Sequence, residues 1–597
     1  MAEASPERVN VADRLAAAAA ARPDAVALAA ADGRGGFRTA TLGDLEADAD
    51  RLARGLMAIG VGPGKRIALL VRPGIEFVAL VFALLRTGAT MVLVDAGLGR
   101  KNIVRCLEAT EPDGFVAIPL GHALRVLKRS RFPKAKLNVT VGRRWFWGGQ
   151  TLTSLRRLAG QQPTTGHWPR TTASDSAAVV FTSGSTGPPK GVLYTHGTFE
   201  AQCGMIQAEY DIRPGDTDLA CFPLFGLFNI ACGVTTILPE MDFSRPASCD
   251  PKKLLAAANQ WKVTQAFASP AVWDRVSRHC EETGESIPTL KKLLSCGAPV
   301  PAKVIRRTLA CVHPEATMHT PYGATEALPV ATIEAQEILN ETAEKTDNGA
   351  GVCVGRRFGS RQQAEGSQQI DREPTTSVVG GTTFAWRVIR ITDDPIPTID
   401  ETEELPTGEI GELIVKGPQV SKEYLNTEPR PSGSDQTGPT HNELAKITDG
   451  TDPGNPAVWH RMGDVGYFDE QERFWYCGRK SQRVVTSQGT LFTECIETQF
   501  APPFSRAALV GVQCESGIEP VIIIEHPKVI SNPPFQPEKY FALREANRRN
   551  RTGDGCLAIQ KHLVKHQFPT DIRHNSKIRR EELAVWAEKQ LRKRKEH

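Results

Sequence analysis

Residues 182–191 read TSGSTGPPKG, that is Thr182, Ser183, Gly184, Ser185, Thr186, Gly187, Pro188, Pro189, Lys190 and Gly191. Glycines let backbone N–H groups come close to an anion. Hydroxyl side chains donate further hydrogen bonds, and Lys190 adds a mobile point charge. A polyphosphate needs that set. The stretch is not a Walker loop, which runs Gly-Lys-Ser/Thr directly into a helix. Here Pro189 precedes Lys190 and Gly191 follows it. The apolar run 177–181 (AAVVF) predicts a buried strand upstream, 192–195 (VLYT) predicts a second strand downstream, and a helix is expected only from about Thr198. An ordinary Gly/Ser-rich hairpin is the alternative, and the order of the ten residues disfavours it.

Outward from this unit, residues 66–71, 75–86 and 90–94 predict strand, helix and strand. Arg72, Pro73, Glu76 and Arg86 interrupt this most apolar stretch and exclude a bilayer span. The Ala-rich run 15–21 predicts a short helix stopped at Pro23. Strand and helix patterns alternate through the first 340 residues, which predicts an α/β fold with parallel or mixed sheets. Two stretches read as solvated surface insertions: 357–383, rich in Gly, Ser, Gln and Arg, and 427–456, rich in Pro, Gly, Thr and Asp. Between them 408–420 alternates like strands. Beyond Arg479 come short strands at 507–512 and 520–525, then a last helix over 580–592 with Leu583, Trp586, Ala587 and Leu591 on one face. A chain of 597 residues exceeds one core. The expected architecture is a large N-terminal α/β domain, 1–478, and a small mobile C-terminal α+β domain, 479–597.

Bulk composition excludes more than it assigns. Apolar content of 40% and charged content of 23% are ordinary for a globular protein. A net charge of +4, from 72 basic and 68 acidic groups, gives no chain-wide field for nucleic acid or membrane. One local exception is Arg143-Arg-Trp-Phe-Trp147 with Lys128, Arg129, Arg131, Lys134 and Lys136 nearby. Cations interleaved with aromatics suit nucleic acid, a lipid surface or a partner enzyme, but no nucleic-acid motif accompanies them. The thirteen cysteines include no CxxC pair, which points to reduced thiols in a cytoplasm. The opening MAEASPERVN lacks the layout of a signal peptide.

Four further segments carry chemistry. Tyr322-Gly323-Ala324-Thr325-Glu326 delivers a hydroxyl and a carboxylate together. Glu326 suits magnesium, a hard cation that takes oxygen ligands and bridges phosphates, and Thr325 suits a phosphate oxygen. Asp464 stands between Gly463 and Gly466 in HRMGDVGY, where a carboxylate can accept from both hydroxyls of a ribose. Gly478-Arg479 follows. Ser295-Cys-Gly-Ala-Pro299 and Arg573-His-Asn-Ser-Lys577 complete the set.

Taken together, and in this order, these motifs resemble the adenylate-forming enzymes: acyl-CoA synthetases, nonribosomal adenylation domains and luciferases. The resemblance implies activation of a carboxylate with ATP and magnesium to an acyl-AMP, followed by acyl transfer. It places the phosphates on residues 182–187 and Lys190. It puts the adenine against Gly297, Ala298 and Pro299, and it counts Tyr322 and Gly323 among the nucleotide-binding residues. It assigns the ribose to Asp464 and Arg479. Lys577, here preceded by Ser576 rather than the usual Gly, becomes the mobile lysine that neutralises charge during adenylation. Residues 478–480 become the hinge, although the interval to Gly489 is one residue longer than usual and no acidic hinge residue is evident.

Segments 138–149, 337–356 and 569–587 are similar to the β-lactone synthetases of bacterial long-chain olefin biosynthesis. That branch implies a 2-alkyl-3-hydroxy fatty acid as substrate, with the substrate's own 3-hydroxyl displacing AMP and no need for coenzyme A. It also implies two partners: a reductase that supplies the hydroxy acid, and a decarboxylase that turns the lactone into an alkene. A long-chain fatty acyl-CoA or acyl-carrier ligase is the alternative. A non-catalytic nucleotide- or lipid-binding relative is a third reading, disfavoured by Lys190, Glu326, Asp464, Arg479 and Lys577 together. Where acyl-CoA ligases often carry His after Pro-Leu-Phe, this chain has Gly226. With Phe222, Phe225, Leu227 and Phe228 around it, a wide apolar cleft is expected, or else plain core packing. His196 is a candidate base by type, or a structural residue at a helix entry.

Overall fold

The computed structural model describes residues 7–161, 168–182, 189–360, 376–379, 382–425, 439–450, 457–500, 506–515, 517–525, 545, 559–570 and 578–595. Two large sheets form most of the N-terminal domain. The first has eight strands, and its centre is parallel: Ser176–Thr182, Thr90–Val94, Arg66–Leu70, Gly114–Ala117, Leu137–Thr140 and Gln150–Thr151 lie side by side in that order. Lys190–Thr195 and the short edge strand Tyr424–Leu425 add antiparallel to the Ser176–Thr182 side. The second sheet has fifteen strands. It is parallel from Thr317–Ala324 through Lys292–Ser295, Gln265–Ala268 and Thr217–Ala220 to Thr235–Leu238 and Val26–Ala31. It turns antiparallel beyond Ala327–Glu334.

The expected strand–helix–strand unit appears as Arg66–Leu70, Ile75–Thr87 and Thr90–Val94. Gly88 ends the helix at φ +70°, a left-handed cap that glycine takes without steric cost. Every residue from Phe77 to Thr87 is buried. The side chains of this helix join one core cluster with residues of both sheets, such as Ile67, Met91, Leu28 and Val330. That is why its sequence is apolar all round rather than along one stripe. Leu42–Ala58 packs beside it and is apolar on one face only, after a capping box in which Thr41 and Asp44 each accept from the other's backbone N–H.

The smaller C-terminal domain has its own sheet, with Ala507–Cys514 antiparallel to Gly517–Glu525 and Lys561–Lys565 parallel to the latter. Helix Arg580–Lys595 lies against it, with Leu583 and Ala587 buried and Trp586 and Leu591 partly so. Among the described residues no helix is long and apolar enough to cross a membrane.

Three expectations need correction. The N-terminal helix is Ala12–Ala21, three residues longer at its start than the Ala-rich run. The helix expected near Thr198 starts at His196, because the Thr195 side chain caps it by accepting from the Thr198 N–H. Of the two insertions, 361–375, 380–381, 427–438 and 451–456 lie outside the described residues, and the described parts are not all solvated surface. Thr376–Val379 pairs with Thr382–Ile389 at the rim of the larger sheet. His441–Ala445 is a helical turn, and Lys446–Asp449 pairs with Ala457–Phe468, burying Ile447 completely. The composition of 427–456 hid this short alternating strand.

Candidate active site

Between the two sheets and the C-terminal domain lies a cleft of about 2430 Å³, lined among others by Lys190, Glu326, Asp464, Arg479, Glu494 and Arg580. Ser183, Gly184, Ser185, Thr186, Gly187 and Lys577 lie outside the described residues, as does the side chain of Thr182. The two ends of the 182–191 stretch are described. Thr182 pairs in register with Lys190, so two antiparallel strands bring both ends of the loop together at the cleft. Ile578, Arg579 and Arg580, directly after Lys577, line the cleft too.

Thr325 and Glu326 form a two-residue turn between Thr317–Ala324 and Ala327–Glu334, with Ala324 opposite Ala327. Three bonds from distant elements hold this tip. The Tyr194 hydroxyl donates to the Thr325 carbonyl, the Ser421 N–H donates to the Glu326 carbonyl at 2.8 Å, and the Tyr424 hydroxyl donates to Glu326 Oε1 at 2.8 Å. Two ammonium groups, Lys190 Nζ and Lys446 Nζ, each stand 5.2 Å from the Tyr424 ring. Burial pulls both below the ordinary lysine range, against the attraction of Glu326, and Lys446 comes down to about 7. Lys446 also donates to the Ser421 carbonyl. Glu326 and Glu423 both attract Lys446, and burial and the nearby Lys190 outweigh them.

At the next position along the cleft, Asp464 and Arg479 face each other on paired strands and form an ion pair of 3.0 Å. The Tyr322 hydroxyl donates to Asp464 Oδ2 at 2.5 Å, and Arg479 Nη1 donates to the Met462 carbonyl at 3.1 Å. The carboxylate is buried and held from two sides, so its position is set before any ligand arrives. Asp464 holds the Arg479 guanidinium above its ordinary value, and burial together with Asp464 pushes the Tyr322 phenol up.

Gly297, Ala298, Pro299, Tyr322 and Gly323 line the same cleft. Gly297 takes φ +97°, which glycine allows and an L side chain resists. Ser295 Oγ is fully buried at this wall and has no hydrogen-bond partner among the described residues.

The apolar end is helix Pro223–Ala231, with proline at its first position. Phe222, Phe225 and Phe228 line the cleft from it, as does Leu227. Phe225 stacks on Phe267 with ring centroids 4.1 Å apart and planes at 15°. Gly226 is a correction. It does not line the cleft: a Cβ there would sit 3.0 Å from Thr236 Cγ2 and 3.6 Å from Ala220 Cβ. The missing side chain lets the helix settle onto the sheet beneath it rather than widening the cleft. Core packing and cleft lining therefore coexist at Phe225, where the two had read as alternatives.

His196 is fully buried away from the cleft, and neither ring nitrogen has a hydrogen-bond partner among the described residues. Burial drives its imidazole down to about 4, against the pull of Asp175. It is a neutral structural residue, as the second of its two readings had it.

Residues after Arg479 are tied to the larger domain. Lys480 Nζ lies 3.1 Å from Glu412 Oε2, which also pairs with the buried Arg461 at 2.6 Å, and Arg483 pairs with Asp393 at 2.6 Å. On the other side Arg580 pairs with Glu497 at 2.7 Å and donates to Gln482 at 3.0 Å.

Tyr194, Tyr424 and Lys446 escaped the sequence reading. Each acts through a partner more than 20 residues away, and no local pattern marks it. Tyr424 sits on a two-residue edge strand, too short to register as periodicity.

The sequence matches the family described as AMP-binding enzyme over residues 15–425. It is 40% identical to the olefin beta-lactone synthetase of Stenotrophomonas maltophilia, over 98% of this chain and 99% of that one. It is 39% identical to the olefin beta-lactone synthetase of Xanthomonas campestris, over 97% and 98%. Among solved structures it resembles the amide bond synthetase McbA from Marinactinospora thermotolerans, with a TM-score of 0.70, 19% identity and coverage of 96% and 99%. ATP-bound MatB from Rhodopseudomonas palustris gives 0.68, 18%, 98% and 99%. These structural likenesses speak for the fold.

Proposed function

Because the chain belongs to the AMP-binding enzyme family, in the branch of the olefin β-lactone synthetases, we propose that it is an ATP-dependent β-lactone synthetase. It adenylates the carboxylate of a 2-alkyl-3-hydroxy long-chain fatty acid and releases pyrophosphate. The 3-hydroxyl then attacks the acyl carbon, its proton leaves, and AMP departs as the four-membered ring closes. Ring strain makes closure uphill, so the good leaving group matters. The nucleophile is already tethered, and orientation supplies much of the rate.

The observation that supports this reading is that these groups line one cleft. In this reading Gly297–Pro299 and Tyr322 would take the base, Asp464 and Arg479 the ribose, and Lys190 the phosphates, with 182–187 assigned to the phosphates by resemblance alone. The Phe222, Phe225 and Phe228 wall takes the alkyl chains. Lys446 stands behind Lys190 beside Tyr424 and is bonded to the Ser421 carbonyl. Magnesium fits a single carboxylate: it keeps several waters and takes one or two carboxylates plus substrate phosphates. Among the described residues no cluster of three or more His, Cys, Asp or Glu could hold a metal alone. Glu326 would hold the ion with phosphate oxygens, and the ion would offset charge on the departing pyrophosphate. We place the domain boundary at 478–480, with 479–597 acting as a lid that carries Lys577 to the carboxylate. A reductase supplying the hydroxy acid and a decarboxylase consuming the lactone are the expected neighbours in the reaction sequence.

The test uses protein, ATP, magnesium and a 2-alkyl-3-hydroxy acid without coenzyme A, with products read by NMR. A β-lactone is expected. Product that forms only with coenzyme A would favour the acyl-CoA ligase instead. Lys577→Ala should largely abolish acyl-AMP formation and spare lactonisation of a supplied adenylate. Equal loss of both steps would remove Lys577 from its assigned role.

A further inference from the structure

Eight large apolar side chains are left exposed among the described residues, and four of them fall within residues 119–149: Leu120 (71%), Leu127 (80%), Trp145 (58%) and Phe146 (86%). The same 31 residues hold eight Lys or Arg and no Asp or Glu. The chain-wide surplus is only +4, so the rest of the chain is net acidic. This concentration is local and one-signed.

The aromatic part is built rather than floppy. Trp147 stacks on buried His122 at 5.8 Å, and Trp145 stacks on Trp147 at 5.6 Å. Phe146 meets Trp147 edge-on at 5.8 Å. Arg125 Nη2 donates to the Trp147 carbonyl at 2.9 Å, Trp147 Nε1 donates to Thr140 Oγ1 at 3.0 Å, and Arg144 donates to the Gly149 carbonyl at 2.6 Å. The loop is thus clipped to the flank of helix Pro119–Leu127. On that helix Leu120 and Leu127 are seven residues apart, hence on one face two turns apart. Arg131 and Lys134 are paired with Glu108 and Glu111. Lys128, Arg129, Lys136 and Arg143 have no acidic partner among the described residues.

Position adds a third observation. The helix follows the C-terminal end of Gly114–Ala117, and the loop follows that of Leu137–Thr140. Arg72, Pro73, Asp95 and Leu98, which line the cleft, follow the C-terminal ends of Arg66–Leu70 and Thr90–Val94 in the same parallel sheet. Leu120 and loop 143–147 therefore open on the same sheet edge as the cleft, about 10–15 Å away at ordinary strand spacing, while the helix runs back along the sheet and carries Leu127, Lys128 and Arg129 toward the other edge, where Lys136 precedes Leu137–Thr140.

We infer that helix Pro119–Leu127 and loop 143–147 dock this protein on the surface of an anionic lipid bilayer. Trp145, Phe146, Leu120 and Leu127 enter the headgroup–acyl boundary, and Lys128, Arg129, Lys136, Arg143 and Arg144 meet lipid phosphates. Exposed apolar clusters of this kind mark interaction sites. Aromatic rings with cations around them match the bilayer interface. Aliphatic leucines add nothing to base stacking, and nucleic acid is disfavoured for that reason.

Vesicle co-sedimentation of the full chain tests this. Binding to vesicles with one-third phosphatidylglycerol is expected to exceed binding to pure phosphatidylcholine and to weaken with salt. Trp145→Ala with Phe146→Ala should lower the partition coefficient at least tenfold. Lys128→Glu with Arg143→Glu should remove the preference for anionic vesicles. Both variants should keep the wild-type melting temperature and full adenylation of detergent-dispersed substrate. Equal partition of wild type to both vesicle types, or wild-type binding by the Trp145/Phe146 variant, would overturn the inference. So would retention on single-stranded DNA without vesicle binding.

Discussion

The two ends of the cleft are built on opposite principles. At the nucleotide end, short polar motifs meet across sheets through directed bonds: Tyr322 and Arg479 on Asp464, Tyr424 on Glu326, Tyr194 on Thr325. At the acyl end, rings pack on rings, Phe225 on Phe267 and Phe222 at 6.0 Å from Phe267. Hydrogen bonds are directional and costly to leave unmade, whereas apolar contacts tolerate volume-conserving exchange. Chemistry that all adenylating enzymes share needs the first kind of wall. Substrate choice, which differs among them, can be carried by the second.

Removing Asp464 attacks the comparison hardest. Asp464→Ala leaves the half-buried Arg479 guanidinium and Tyr322 phenol without their shared carboxylate, which costs about 3 kcal/mol. Pyrophosphate release should fall about 1000-fold. A loss under tenfold would mean the polar end is as tolerant as the apolar one. Phe225→Ala should cost about 3 kcal/mol of stability in urea unfolding, from lost burial and an unfilled cavity. Its adenylation kcat should stay within a few-fold, with the damage in KM for the acid. A collapse of kcat at unchanged KM would blur the distinction.

His196 sharpens the comparison, because it is buried polarity with no task in the cleft. Its folded-state value of about 4 lies below the ordinary 6.5, so the unfolded chain takes the proton first. The stability this residue allows is complete above pH 6.5 and is lost as pH falls toward 4. Between pH 7 and 5 the loss should be about 2 kcal/mol. His196→Gln should flatten that part of the pH–stability curve while leaving kcat at pH 7.5 unchanged. An unaltered curve would refute the assignment. The smallest expected effect is that of Tyr424→Phe, which deletes one hydrogen bond to Glu326. About 1 kcal/mol, or fivefold in kcat/KM, should be lost, together with a raised magnesium requirement. A silent substitution would mean Glu326 needs no orienting partner.

Legibility in the sequence followed the same division. Glu326 sits in a two-residue turn, Asp464 between glycines, and Arg479, Lys190 and Tyr322 each adjoin a glycine, and such local patterns are what the sequence displays. The acyl wall was readable as a set of phenylalanines, but Gly226 was misassigned. Whether a helical position faces sheet or cleft depends on how the helix lies, and nine residues of apolar sequence do not say. The strand Lys446–Asp449 was hidden inside a stretch whose composition reads as solvated, so Lys446 went with it.

By itself the order of residues determined the α/β architecture, the adenylating chemistry and the motifs that carry it. These rest on local needs: periodicity for strands and helices, glycine for close backbone approach, carboxylate and lysine for charge. Only the tertiary structure decided which side chains aim the motif residues and which helix face meets the cleft. It alone brought the Trp145–Phe146 loop to the same sheet edge as the cleft. Those relations join residues far apart in the chain, and packing alone brings them together.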